Sequence, residues 1–202
     1  QFRECAKALA IYHKYLKNFK FKRKYEDFDK WDWILKNYKK MKKVKPKNKT
    51  DLLMLENLPF FEKAVYELKK IDYSKERIFC HSDWHNGNLL FNKNKLTGII
   101  DFDDVEFSLK ADDVANAIVK CRYGGRGLTI KKKKIFLEEY KKIMPFSKRE
   151  EKLIIPLLLR NNCIVFWWFY DGMKKNQNKR HIALEEKINE AKGYYAQIME
   201  KK

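Results

Sequence analysis

Cys80-His81-Ser82-Asp83-Trp84-His85-Asn86-Gly87-Asn88-Leu89-Leu90, followed by Thr97-Gly98-Ile99-Ile100-Asp101-Phe102-Asp103-Asp104, is the stretch on which the reading of this chain turns. Ile78-Phe79-Cys80, Leu89-Leu90-Phe91 and Leu96-Thr97-Gly98-Ile99-Ile100 are short apolar runs, and Asn92-Lys93-Asn94-Lys95 supplies turn chemistry between the last two. The pattern predicts a small, buried β-hairpin with polar residues at both ends. Asp83, Asn88 and Asp101 are five and thirteen residues apart, and strands about 4.8 Å apart can bring all three to one rim of that hairpin. Two carboxylates and an amide oxygen are hard ligands that suit Mg²⁺ shared with substrate phosphates. A carboxylate held apart from the metal can orient a hydroxyl and accept its proton.

Outward from this stretch the periodicity is helical. Phe2, Ala6, Leu9, Ala10, His13 and Leu16 mark a helix over residues 2–18, and Phe28, Trp31, Ile34, Leu35, Tyr38 and Met41 mark another over 28–42. Thr50 or Asp51 is a plausible cap for a third helix running to about residue 70, interrupted or re-entered at Pro59. Beyond the hairpin, helices are expected over 111–122, 131–144, 148–172 and 181–201, with Tyr123-Gly124-Gly125-Arg126-Gly127 as a flexible loop. The fold class is therefore α+β, mainly helical, around one short hairpin.

The 202 residues support one domain, and 45% hydrophobic with 15% aromatic content is ample for a core. No continuous apolar run approaches the roughly 18 residues of a membrane span; the longest lies around Ile164–Tyr170. Cys5, Cys80, Cys121 and Cys163 are scattered without a CxxC pair, which points to a reduced, cytoplasmic setting with the thiols as small core residues. The chain opens on Gln1-Phe2-Arg3-Glu4 with no initiator Met, so an earlier part of the polypeptide is expected. A net charge of +19 permits contact with a polyanion. A general Lys bias, following no single face, is the preferred account of it, and a nucleic-acid partner is not expected.

His81-x-Asp83-x₄-Asn88 followed by Ile100-Asp101-Phe102-Asp103 resembles the catalytic and metal-binding motifs of the aminoglycoside phosphotransferase-like kinases, relatives of the protein kinases. The family's usual first motif, HGDxHxGN, reads HSDWHNGN here, with Ser82 where Gly is commonest. Asp112-Asp113-Val114-Ala115 after the second motif is most similar to the homoserine-kinase-like branch. Leu9-Ala10-x-x-His13 resembles the opening of the family's C-terminal lobe, and Leu157–Asp171 its late helices.

The resemblance implies a kinase-like C-terminal lobe over residues 1–202 that transfers the γ-phosphate of ATP to a hydroxyl of a small polar acceptor, such as an amino alcohol. It implies Asp83 as catalytic base, His81 as a buttress of the catalytic loop, and Asn88 and Asp101 as ligands of Mg²⁺ bound to ATP. Asp103 and Asp104, with Trp84 and His85, are the candidate acceptor-side residues. The family's nucleotide-covering loop and phosphate-pairing strand Lys have no counterpart before His81; the first 77 residues contain no glycine. The resemblance thus implies an N-terminal nucleotide lobe lying before residue 1, and low activity for this chain alone.

Blander readings compete at several positions. His81 and His85 lack the helix, the Glu and the third ligand of a zinc site. His13 reads as a core histidine and His181 as a surface one. Asp112 and Asp113 read first as helix-start carboxylates favoured by the dipole. Phe166-Trp167-Trp168-Phe169-Tyr170 reads as core packing with some exposed face, and Lys131–Lys134 as a solvated run. The contrasting function is a non-catalytic basic module on a kinase-like scaffold that engages nucleic acid or another polyanion. The metal-type set Asp83, Asn88 and Asp101 argues against it, because a scaffold has no need of those residues.

Overall fold

The computed structural model describes residues 1–19, 30–73, 77–123, 126–171 and 177–200. In chain order they form α1 (Phe2–Leu16), α2 (Lys30–Met41), α3 (Lys49–Lys69), β1 (Arg77–Cys80), a 3-10 turn at Asn86–Asn88, β2 (Leu89–Asn92), β3 (Lys95–Ile99), β4 (Glu106–Leu109), α4 (Lys110–Lys120), β5 (Arg122–Tyr123), β6 (Arg126–Gly127), α5 (Ile130–Lys141), α6 (Lys148–Asp171) and α7 (Gln177–Met199). The helix start at Phe28 and the glycines Gly124 and Gly125 lie outside the described residues.

Two compact units divide the chain, residues 1–25 with 73–157 and residues 26–72 with 158–202. In the first unit, α1 buries Cys5, Ala6, Leu9, Ala10 and His13, the stripe its sequence period requires. Every residue of α4 from Lys110 to Val119 is buried, and Ala111, Ala115 and Ala117 let neighbouring backbones approach it closely. The second unit is built from α2, α3, α7 and the later turns of α6. Its core joins Ile34, Tyr38, Phe61, Val65, Leu159, Phe166, Leu184 and Ile188, with Phe61 and Phe166 stacked at 3.9 Å. Phe166 is fully buried and Trp168 half-exposed, as packing with an exposed flank requires.

The strands form three two-stranded antiparallel sheets rather than one hairpin. The β2–β3 hairpin is as expected, Leu89 opposite Ile99, with a register shift between Leu90 and Phe91. β1 pairs with β4, Arg77 opposite Leu109 and Cys80 opposite Glu106, so Asp83 follows a strand of a different sheet. The expectation of three oxygen-bearing residues on one hairpin is corrected accordingly. Glu106-Phe107-Ser108-Leu109 carries no strand signal of its own and becomes a strand because β1 needs a hydrogen-bonding partner.

Two smaller corrections concern helices. Asn48 caps α3, its side chain accepting from the backbone N–H groups of Thr50 and Asp51, and the helix continues through Pro59 without interruption. Lys148–Phe169 within α6 is long and apolar enough to cross a membrane by length and composition, which scanning for unbroken apolar runs overlooks; 61% of that window is buried in the fold.

Candidate active site

The loop between β1 and β2 is pinned from below by one carboxylate. Asp113, buried in the first turn of α4, accepts the backbone N–H of His81 through Oδ2 at 2.7 Å and that of Ser82 through Oδ1 at 3.0 Å. His13 of α1 adds its Nε2–H to Oδ2 at 3.0 Å, and its Nδ1 lies 2.7 Å from the Tyr140 hydroxyl of α5. A carboxylate only accepts, so Nε2 carries the proton and Tyr140 can donate to Nδ1. Burial pushes the Tyr140 hydroxyl well above its ordinary pKa, which keeps it a donor. Asn116 completes the support, its Nδ2 donating to Ser82 O at 2.6 Å.

This clamp holds Ser82 in the left-handed region, φ 62°, the conformation for which a glycine is the least strained choice. His81 is fully buried and donates its Nε2–H to Ile100 O at 3.1 Å, joining the loop to the chain just beyond β3. Tyr12, Trp84 and Phe102 surround its ring, and Nδ1 has no hydrogen-bond partner among the described residues.

Asp83 projects from the pinned loop with both oxygens engaged. Oδ1 accepts from Lys120 Nζ at 2.6 Å. Oδ2 accepts from Asn88 Nδ2 at 2.9 Å and lies 3.2 Å from His85 Nε2. His85 Nδ1 accepts the backbone N–H of Gly87 at 2.9 Å, so its Nε2 bears the hydrogen that meets Asp83. Gly87 has to be small here, because a Cβ on it would stand 2.7 Å from the His85 ring. Burial alone would raise the Asp83 carboxyl; the Lys120 ammonium, His85 and Asn88 together outweigh it, and the net shift is downward. With 18% of its side chain exposed, Asp83 is reachable from solvent and ionised at neutral pH.

Asn88 and Asp101 flank the hairpin on consecutive sides. The backbone N–H of Ile100 donates to Asn88 O at 3.0 Å, tying the two segments one residue away from Asp101. Asn88 spends both amide hydrogens on Asp83, on its carboxylate at 2.9 Å and its main-chain oxygen at 3.0 Å, which leaves Oδ1 as a fixed acceptor. Asp101 takes a left-handed φ of 64°, and its exposed carboxylate makes no hydrogen bond or ion pair among the described residues. An oriented amide oxygen and an uncommitted carboxylate are of the donor type that a hard divalent cation takes.

The remaining candidates separate. Asp103 and Asp104 are exposed in the turn after Asp101. Trp84 is fully buried against Tyr12 and His81 instead of lining an open wall, so it contributes to the loop's underside. Lys120 is the residue that sequence reasoning passed over, and Asp113 is one it read as a helix-start carboxylate favoured by the dipole. A buried carboxylate in a first helical turn looks, in sequence, like any dipole-favoured acid, and nothing local marks Lys120 as the partner of a residue 37 positions away. His13, Cys80 and Asp113 place ligand-type atoms within 4.8 Å of one another. Their polar atoms are taken up by protein partners, including Cys80 Sγ toward Ser108 O and Leu109 O at 3.5 Å, so the cluster anchors the loop.

The structure thus sets an ionised carboxylate on a loop pinned by α4, with Asn88 and Asp101 at the two ends of the neighbouring hairpin. Residues 1–143 match the sequence profile of the phosphotransferase enzyme family, and the chain belongs to that family. No curated protein matches it in sequence. Among solved structures it is similar to an aminoglycoside phosphotransferase from Alicyclobacillus acidocaldarius, with a TM-score of 0.63 at 15% identity over 99% of this chain and 65% of the other. A Plasmodium vivax ethanolamine kinase gives a TM-score of 0.58 at 15% identity, covering 96% of this chain and 58% of that one. An amicoumacin kinase in complex with AMP-PNP, Ca²⁺ and Ami gives 0.59 at 15% identity, covering 95% of this chain and 58% of that one. At such identity the likeness is one of fold, and the chain spans about three-fifths of the length of these proteins.

Proposed function

We infer that this chain is the catalytic, acceptor-side lobe of an ATP-dependent small-molecule kinase, transferring the γ-phosphoryl group to a hydroxyl of a small polar acceptor such as an amino alcohol or an aminoglycoside. The observation that carries the reading is the Asp83 carboxylate, fixed by Asn88 and His85 and partly exposed. Asp83 orients the acceptor hydroxyl and takes its proton as the new oxygen–phosphorus bond forms. His81 keeps the loop in register through Ile100 O.

Asn88 Oδ1 and the Asp101 carboxylate would hold a divalent cation, for which Mg²⁺ is the natural choice beside ATP, and that ion would neutralise polyphosphate charge. Asp103 and Asp104 stand in the next turn, where their charge favours an acceptor that carries an amine. Adenine and α/β-phosphate contacts are assigned to a nucleotide lobe outside these 202 residues, because no glycine-rich covering loop precedes His81 in them. The test is ADP release by the full-length protein with MgATP and a panel of amino alcohols and aminoglycosides. Acceptor-dependent ADP release supports the reading, and none across the panel counts against it. Full turnover by these 202 residues alone would remove the preceding lobe from the account.

A further inference from the structure

Three donors meet Asp83, and they are not equivalent. Asn88 also holds the main-chain oxygen of Asp83, and His85 also holds Gly87, so both are committed to loop geometry. Lys120 is different: its Nζ has Asp83 Oδ1, at 2.6 Å, as its partner among the described residues, and an ammonium has two further hydrogens to offer. Nor is its position that of a loose surface lysine. It is the last residue of α4, the helix whose first turn carries Asp113. The end of that helix is fastened to the Asp83 loop by Cys121, whose Sγ lies 3.7 Å from Trp84 O. One rigid, buried helix therefore pins the loop at one end and sets a cation on its carboxylate at the other.

We propose that Lys120 is a catalytic residue of the phosphoryl transfer, holding Asp83 Oδ1 in the resting site and serving the transferring γ-phosphoryl oxygens during reaction. This deepens the kinase reading above and rests on it. The acceptor oxygen forms its bond to the γ-phosphorus while the bond from that phosphorus to the β–γ bridging oxygen breaks, its electron pair leaving with ADP. The hydroxyl proton goes to Asp83. Lys120 keeps Asp83 Oδ1 and turns its two remaining N–H groups to the γ-phosphoryl oxygens, whose charge it meets in bound ATP and as the phosphorus–oxygen bond breaks. Lys120 gains no bond and loses no proton. Its charge is set where negative charge develops, an arrangement that needs no reorganisation of solvent.

The test compares ATP and ADP binding, with Mg²⁺, in full-length wild type, Lys120→Met and Lys120→Arg, alongside kcat and acceptor KM. The two nucleotides differ only by the group Lys120 serves. Lys120→Met is expected to weaken ATP at least fivefold while leaving ADP within twofold. It should lower kcat by about 10²-fold, the loss typical of one stabilising donor, with acceptor KM within threefold, and Lys120→Arg should recover at least a tenth of the lost rate. An unchanged ATP/ADP affinity ratio with kcat within threefold of wild type overturns the assignment and leaves the kinase reading standing. Equal loss for ATP and ADP makes Lys120 a structural ion pair and overturns it too. A wild-type protein that binds neither nucleotide overturns both.

Discussion

Asp113 Oδ2 lies 2.7 Å from the backbone nitrogen of His81, and this contact across 32 residues sets the position of the loop that carries Asp83. The carboxylate receives His81, Ser82 and His13 together, in a place where water cannot substitute for any of them. Asp113→Asn keeps the shape and turns an NH₂ group toward at least one donor. Losing a buried, charge-assisted set of this kind costs about 3 kcal/mol, which for this size of chain lowers Tm by roughly 6–12 °C. Calorimetry checks it; a drop under about 2 °C would mean that the loop holds itself.

Ser82 sits at φ 62°, where a side chain costs roughly 1–2 kcal/mol relative to glycine. Glycine in turn loses about 0.5–1 kcal/mol through its freer unfolded chain. The balance favours Ser82→Gly slightly, so the variant should raise the urea midpoint by an amount worth up to about 1 kcal/mol. A clear fall in midpoint would show that the hydroxyl does something the backbone does not reveal.

Gly87→Ala should act on chemistry more than on stability. The added Cβ would meet the His85 ring at 2.7 Å, and the ring can escape only by giving up its bonds to Gly87 N–H and Asp83. Activity of the full-length protein should fall about tenfold or more with one of three donors on the base removed, while Tm moves by only a few degrees. Equal activity would remove His85 from the positioning of Asp83.

All four cysteines are buried and none forms a disulfide. Burial pushes Cys5 up to about 11 and Cys163 up to about 12, and Cys121 is raised further. At pH 8 the native protein should therefore react slowly with a disulfide reagent, and four thiols should appear only on denaturation. Because the folded values are raised, their stabilising contribution is complete below the unfolded thiol value near 9 and shrinks as pH climbs from there toward 11–12. The urea midpoint should decline over that interval. Rapid native labelling of more than one thiol at pH 8 would contradict the packing described.

The legible part of this protein was whatever local pattern dictates. Helical stripes such as Leu9, Ala10 and His13, and the turn at Asn92–Lys95, follow from side-chain period and turn chemistry alone. Asp83, Asn88 and Asp101 stood out because their oxygens crowd a short stretch, although Asp83 proves to follow β1, outside the β2–β3 hairpin. What stayed hidden depends on distant chain. β4 is a strand only because β1 lies beside it, Asp113 matters because two backbone N–H groups end above it, and Lys120 matters because α4 stops at Asp83. Trp84 misled for the same reason: a large aromatic in a catalytic motif can as well fill the floor of a loop as line its mouth.

The proposed mechanism makes Asp83 the group that receives the acceptor's proton. Acceptor-dependent turnover of full-length Asp83→Asn, set against wild type in MgATP with Tm measured alongside, tests that most directly. The account predicts a loss in kcat of about 10³-fold, within the range general-base removal produces, with Tm within a few degrees of wild type. Turnover within tenfold of wild type would contradict it.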